Sequence, residues 1–131
     1  MKARFFIYIS SALISCSAFA GPQVFYDEIT HTAGFTDLDT PPARGDNCSI
    51  NQGLMTVTGN QYSKSGRSIE LIKFTRKDGE EFIIPTNFEK LNNDENSKSK
   101  ELAKIGGTVF IKFSTCGSGG YMSLIDILKP L

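Results

Sequence analysis

Two apolar runs, residues 68–76 and 81–86, flank the tetrapeptide Lys77-Asp78-Gly79-Glu80, and this unit constrains the chain more than any other. Asp-Gly between β-forming runs favours a two-residue type I′ turn, which joins the runs as an antiparallel hairpin. With Asp78 and Gly79 as the turn residues, Arg76 faces Glu81, Thr75 faces Phe82, Phe74 faces Ile83 and Lys73 faces Ile84. One face then carries Ile69, Leu71, Phe82 and Ile84, and the other Ile72, Phe74 and Ile83. Neither face is cleanly polar. A half-exposed antiparallel sheet alternates apolar and polar residues, so this pattern predicts at least partial cover on both faces, from residues 21–47 or from another subunit.

Further β signals surround the hairpin. Leu54-Met55-Thr56-Val57-Thr58 reads as a strand, and Gly59 after it suits a bend or bulge. Residues 62–66 make a polar loop. Val109, Ile111 and Phe113 alternate within residues 108–114, and residues 121–128 form a last strand closed by Pro130. Cys116-Gly117-Ser118-Gly119-Gly120 is the loop between them. Leu102, Ala103 and Ile105, stopped by Gly106-Gly107, predict one short helix over 97–105. Residues 21–47 hold Pro22, Gly34, Pro41, Pro42 and Gly45, with Val24-Phe25-Tyr26 and Ile29 as their apolar cluster. They are expected to form an irregular arm.

The start of the chain is an address. Lys2 and Arg4 precede an apolar run over 5–14, and Ala18-Phe19-Ala20 fits a small-x-small cleavage site with Gly21 as the first mature residue. The run is shorter than the about 20 residues a membrane span needs. The expected organisation is a signal peptide over 1–20, the arm over 21–47 and one β domain over 48–131. The expected location is the periplasm or outside a bacterial cell. Leu13-Ile14-Ser15-Cys16 also resembles a lipobox, in which Cys16 would become an acylated first residue and a membrane anchor. Either processing leaves Cys48 and Cys116 as an even pair in an oxidising compartment, where a disulfide is the simplest outcome; two free buried thiols are the alternative.

The succession of strand, long hairpin, short helix, strand, glycine loop and strand resembles the OB-fold. That is a small five-stranded Greek-key barrel with a helix between its third and fourth strands. The resemblance covers about residues 48–128 and rests on layout. In layout the chain also resembles the secreted B subunits of bacterial AB5 toxins, with Cys48, the hairpin over 69–85 and Cys116 in comparable places. That likeness implies a self-assembling, cell-binding homo-oligomer.

Composition narrows the chemistry. The leader holds two of the 14 basic residues and none of the 14 acidic ones, so residues 21–131 carry a net charge of −2. That balance disfavours nucleic acid as a partner. The one histidine, His31, lies in the arm without an identifiable orienting partner, so no nucleophile, base and orienter can be assembled and no enzyme is expected. Asp37 and Asp39 have the spacing of the first ligands of a calcium loop, but Pro41 and Pro42 break that pattern. One histidine and a paired Cys48 and Cys116 leave too few ligands for zinc. No metal or cofactor is expected. Arg44-Gly45-Asp46 spells an adhesion tripeptide but reads more simply as turn chemistry. The glycines at 117, 119 and 120 join two strands and do not make a phosphate loop. The mixed charges over 89–104 read as a solvated face.

What remains is a non-catalytic binding module for a glycan or a protein. OB barrels bind through the face of strands two and three and the adjoining loops. The candidate contact residues are therefore Tyr62, Lys64, Arg67, Lys73 and Tyr121. Two alternatives stand beside this reading: the toxin-like subunit, and a periplasmic inhibitor or envelope-assembly lipoprotein.

Overall fold

β-branched and aromatic residues at a period of two set the strands of the computed structural model, which describes residues 23–27, 31–39 and 47–130. The leader, Cys16 with its two modes of processing, the Pro41-Pro42 pair and the Arg44-Gly45-Asp46 tripeptide lie outside the described residues. In chain order the elements are β1 (Gln23–Asp27), β2 (Thr32–Thr36), β3 (Cys48–Tyr62), β4 (Ile69–Thr75) and β5 (Glu81–Pro85). A 3-10 turn (Phe88–Lys90), α1 (Asn93–Leu102), β6 (Thr108–Cys116) and β7 (Tyr121–Pro130) follow.

The seven strands form one antiparallel sheet in the order β1-β2-β7-β6-β3-β4-β5. This mainly β architecture agrees with the sequence, but the five-stranded closed barrel does not form. The sheet is open, and the arm supplies two of its strands. β3, β4 and β5 run as a meander, and β6 then returns to lie beside β3, which is a Greek key. β3 is shared along its length. Cys48 to Thr56 pair with β6, and Thr56 to Tyr62 pair with β4, with register shifts at Val57/Gly59 and Gln61/Tyr62. The first shift is the bulge Gly59 suggests, and such a bulge bends the strand. The sheet curls, so that residues of β5 come within 8 Å (Cα–Cα) of β7 and Phe82 of β5 packs on Phe113 of β6 at 5.3 Å between ring centroids.

The concave face is the core. Val109, Ile111 and Phe113 alternate inward from β6, as their spacing predicts, against Met55 and Val57 of β3, Ile72 and Phe74 of β4 and Ile127 of β7. Phe35, Leu38, Phe88 and Leu91 complete it from the arm and from the turn before α1. Each such side chain, fully buried, contributes about 1.5–3 kcal/mol of hydrophobic stabilisation.

Three local expectations are corrected. First, the arm is ordered into β1 and β2, and β2 adds to the edge of β7. The Thr-Ala-Gly-Phe-Thr run of β2 has little apolar pattern of its own, but Phe35 plugs the core. Gly34 allows the contact: a Cβ there would collide with the Ile127 carbonyl and lie 2.8 Å from the Leu128 Cα.

Second, the hairpin is one residue out of the expected register. Thr75 pairs with Glu81, Phe74 with Phe82, Lys73 with Ile83 and Ile72 with Ile84. The turn has three residues, Lys77, Asp78 and Gly79, closed by Gly79 N–H to the Arg76 carbonyl at 2.8 Å and Arg76 N–H to the Glu80 carbonyl at 2.8 Å. Gly79, at φ +96°, takes the positive-φ position of a bulged three-residue loop rather than the second position of a type I′ turn. A slip of one residue moves each side chain to the other face. Ile72, Phe74, Phe82 and Ile84 therefore share the inner face, while Lys73 and Ile83 share the outer one, and Ile83 is 57% exposed. The observed register puts the apolar residues on one face, so it no longer calls for cover on both; on the outer face Leu71 is half-buried and Ile83 exposed.

Third, the helix begins four residues before Ser97 and ends before Ile105, which is exposed beyond it. The start is fixed by a capping box. Asn92 Oδ1 accepts from Glu95 N–H at 2.8 Å, and Asn92 N–H donates to Glu95 Oε1 at 3.0 Å. The buried side of α1 is largely polar. Asn96 Nδ2 donates to the Leu91 carbonyl at 3.1 Å, and Ser99 Oγ to the Asn96 carbonyl at 2.6 Å.

Cys48 and Cys116 form the disulfide. They are directly opposed in the β3–β6 register, with Cα atoms 4.1 Å apart. No helix among the described residues is long and apolar enough to cross a membrane.

Candidate functional site

The candidate surface starts where β3 ends. Tyr62 is the last residue of β3, opposite Ile69, and is 44% exposed. The chain then turns through residues 63–68. Ser63 N–H donates to the Ser68 carbonyl at 2.8 Å, and Gly66 N–H to the Ser63 carbonyl at 2.9 Å. Lys64 stands exposed at the head of this loop. Arg67 folds away from it, since its Nη2 donates to the Leu91 carbonyl at 2.9 Å and to Asn93 Oδ1 at 3.4 Å. The guanidinium thereby ties the loop to the start of α1, so Arg67 positions the rim rather than offering a free cation.

α1 in turn adds a residue that the sequence reading left out. Lys100 Nζ lies 5.7 Å from the centroid of the Tyr62 ring, a cation–π distance. In sequence Lys100 is one cation among the mixed charges over 89–104, and only the docking of α1 beside the end of β3 singles it out.

Lys73 and Tyr121 lie elsewhere. Lys73, on the outer face of β4, pairs with Glu81 Oε2 at 3.6 Å. Tyr121 opens β7 opposite Cys116, is 78% exposed, and folds its ring back over the glycine loop. A Cβ at Gly119 would lie 3.0 Å from that ring. Since Cys116 is paired to Cys48, Tyr121 and Tyr62 belong to opposite ends of the longest strand. Fifteen residues span on the order of 45 Å when straight. The five candidates are thus not one site. Tyr62 and Lys64, with Lys100 added and Arg67 tied to the start of α1 beside them, form a rim at one end, and of the five candidates Tyr121 lies at the other.

The stretch Asp37 to Asp39 of the arm is bonded to β7. Asp37 N–H donates to Asp126 Oδ1 at 3.1 Å, Leu38 N–H to the Ile125 carbonyl at 2.9 Å, and Asp39 Oδ2 accepts from Ser123 Oγ at 2.6 Å. They cap the edge of β7 that β2 leaves open. No group of three or more His, Cys, Asp or Glu side chains able to hold a metal ion occurs among the described residues. His31 is exposed at φ +54° between β1 and β2. Comparison with protein-family models, with curated proteins and with solved structures returns no match.

Proposed function

We propose that this chain is an exported, non-catalytic binding module on an OB-like scaffold, with a glycan or a protein as its ligand. The scaffold reading is supported by the sharing of β3 between β6 and β4, by the helix between β5 and β6, and by the approach of β5 to β7. A barrel of this family closes in that order, with the loop after its first strand beside its binding face. β1 and β2 are then an addition at the edge. The disulfide supports an oxidising compartment, the periplasm or the cell exterior.

The observation that carries the binding reading is the exposed Tyr62 ring with Lys100 against it and Lys64 in the adjoining loop. An aromatic face stacks on the C–H face of a sugar ring or on an apolar protein side chain, and two flexible ammonium groups supply hydrogen bonds at its rim.

The test is a glycan array followed by calorimetry on the mature protein. Binding should fall at least tenfold in Tyr62→Ala, about 1.4 kcal/mol, and less in Lys64→Ala. Binding that survives Tyr62→Ala but is lost in Tyr121→Ala would move the site to the other end of β3. Turnover of any bound glycan would end the non-catalytic reading. Intact mass of the mature protein tests the address. A chain starting at Gly21 supports free export, and a diacylglycerol adduct on Cys16 places the module on a membrane.

A further inference from the structure

Among the described residues, Ser49 to Met55 of β3 pair with a strand, β6, on one side only. Val57 sends both its N–H and its C=O toward Gly106 and Gly107, at the entry to β6. Backbone direction alternates along a strand, and the register with β6 is unbroken from Cys48 to Thr56. Ser49, Asn51, Gly53 and Met55 therefore bond to β6, and the N–H and C=O groups of Ile50, Gln52 and Leu54 point the other way. β4 has ended at Thr75, opposite Thr56, so no strand among the described residues covers those six groups. Ile50 is 49% exposed and Leu54 61% exposed, and both lie on the outer face.

This edge lacks the usual protection. Charged side chains and proline keep exposed edges from pairing, yet β3 has neither over its whole length. The edge strand β5 has Glu81 and Pro85. Ile50 and Leu54 also stand two residues to either side of Gln52, on the same face.

We propose that this edge pairs with the same edge of a second copy of the chain, antiparallel, about a two-fold axis through Gln52. Gln52 exchanges two hydrogen bonds with the partner's Gln52, and Ile50 exchanges two with the partner's Leu54 on each side of the axis. Every free donor and acceptor of the three residues is then used. Ile50 packs against the partner's Leu54 twice, and the two Gln52 amides meet between them. Two net-negative copies meet along a neutral strip, without like-charge repulsion. The arrangement is an isologous dimer with one continuous sheet. It is independent of the Tyr62 rim, which lies at the far end of β3.

Sedimentation of the mature protein between about 5 and 500 μM tests it, a range that spans micromolar dissociation constants. Ile50→Glu and Leu54→Lys should each abolish the dimer without changing the melting temperature measured at a dilution where the unaltered protein is also monomeric. The double variant should restore it, because each new carboxylate then faces a new ammonium across the axis. Gln52→Cys should form an intermolecular disulfide, since hydrogen-bonded antiparallel partners lie about 5.5 Å apart at Cα. Leu54→Cys should not, its symmetry mate being about 14 Å away along the strands. A monomer at every concentration would overturn the proposal. So would a dimer indifferent to both single variants, or single variants whose dimerisation the double variant fails to restore. Binding of a foreign extended peptide to a monomeric protein at this edge would overturn it as well.

Discussion

Gly34 and Gly53 both lie in strands of one sheet, yet adding a methyl group to each has opposite consequences. At Gly34 it meets the Ile127 carbonyl, whereas at Gly53 nothing lies within 4 Å. Gly34→Ala should destabilise by about 1–3 kcal/mol through overpacking. Gly53→Ala should be neutral or stabilise by up to about 1 kcal/mol by restricting the unfolded chain. Urea unfolding of the two variants checks this. Asp78 offers a second test at this scale. The hydrogen bond from Arg76, and then that from Glu80 N–H, hold its carboxyl below the ordinary value. A depressed folded pKa means that the contact stabilises the turn when Asp78 is ionised, above about pH 3.9, and is lost as pH falls through the lowered value. Carbon-detected NMR should place the Asp78 midpoint below 3.9 and move it upward in Arg76→Gln. The disulfide was legible in the sequence because Cys48 and Cys116 are the two cysteines beyond residue 20 and admit one pairing between them. The need for Gly34 was not, because what forbids a side chain there is the backbone of β7, 93 positions further along the chain.

The hairpin shows how far an element can be read from its own residues. Its two strands were legible from their apolar runs, and its register was not. Asp-Gly fits both a two-residue turn and a bulged three-residue loop, and the core chooses the second by burying Phe74 and Ile84 together. The helix was legible from Leu102 and Ala103, but its start was masked. Asn92 to Asn96 look like loop residues until Asn92 and Glu95 are seen to cap one another. Asn92→Ala should cost about 1 kcal/mol, measured by urea unfolding, and should loosen the rim that Arg67 holds against Leu91 and Asn93. The candidate surface follows the same rule. Tyr62 and Lys64 are neighbours in sequence and were found there. Lys100 joins them only through the docking of α1, which also separates Arg67 from the role its charge suggested.

The whole molecule is held at two scales of chain separation. The disulfide closes a loop with a sequence separation of 68. Replacing both cysteines, Cys48→Ser with Cys116→Ser, should cost about 4 kcal/mol in the chain-entropy model, read as a shift of the urea midpoint that reductant reproduces in the wild-type protein. β3 has a further consequence, in time rather than in stability. Its later residues find β4 within a short loop, while its earlier residues must wait for β6, more than fifty positions away along the chain. Sheets dominated by such distant pairings fold on the order of milliseconds to seconds. The β3–β4–β5 meander can assemble early, and the sheet completes only when β6 and β7 arrive from the end of the chain. A chain read from its first residue therefore stays incomplete until its last strands emerge. Its covalent tie can form only once β6 has emerged, because Cys116 is the last residue of that strand.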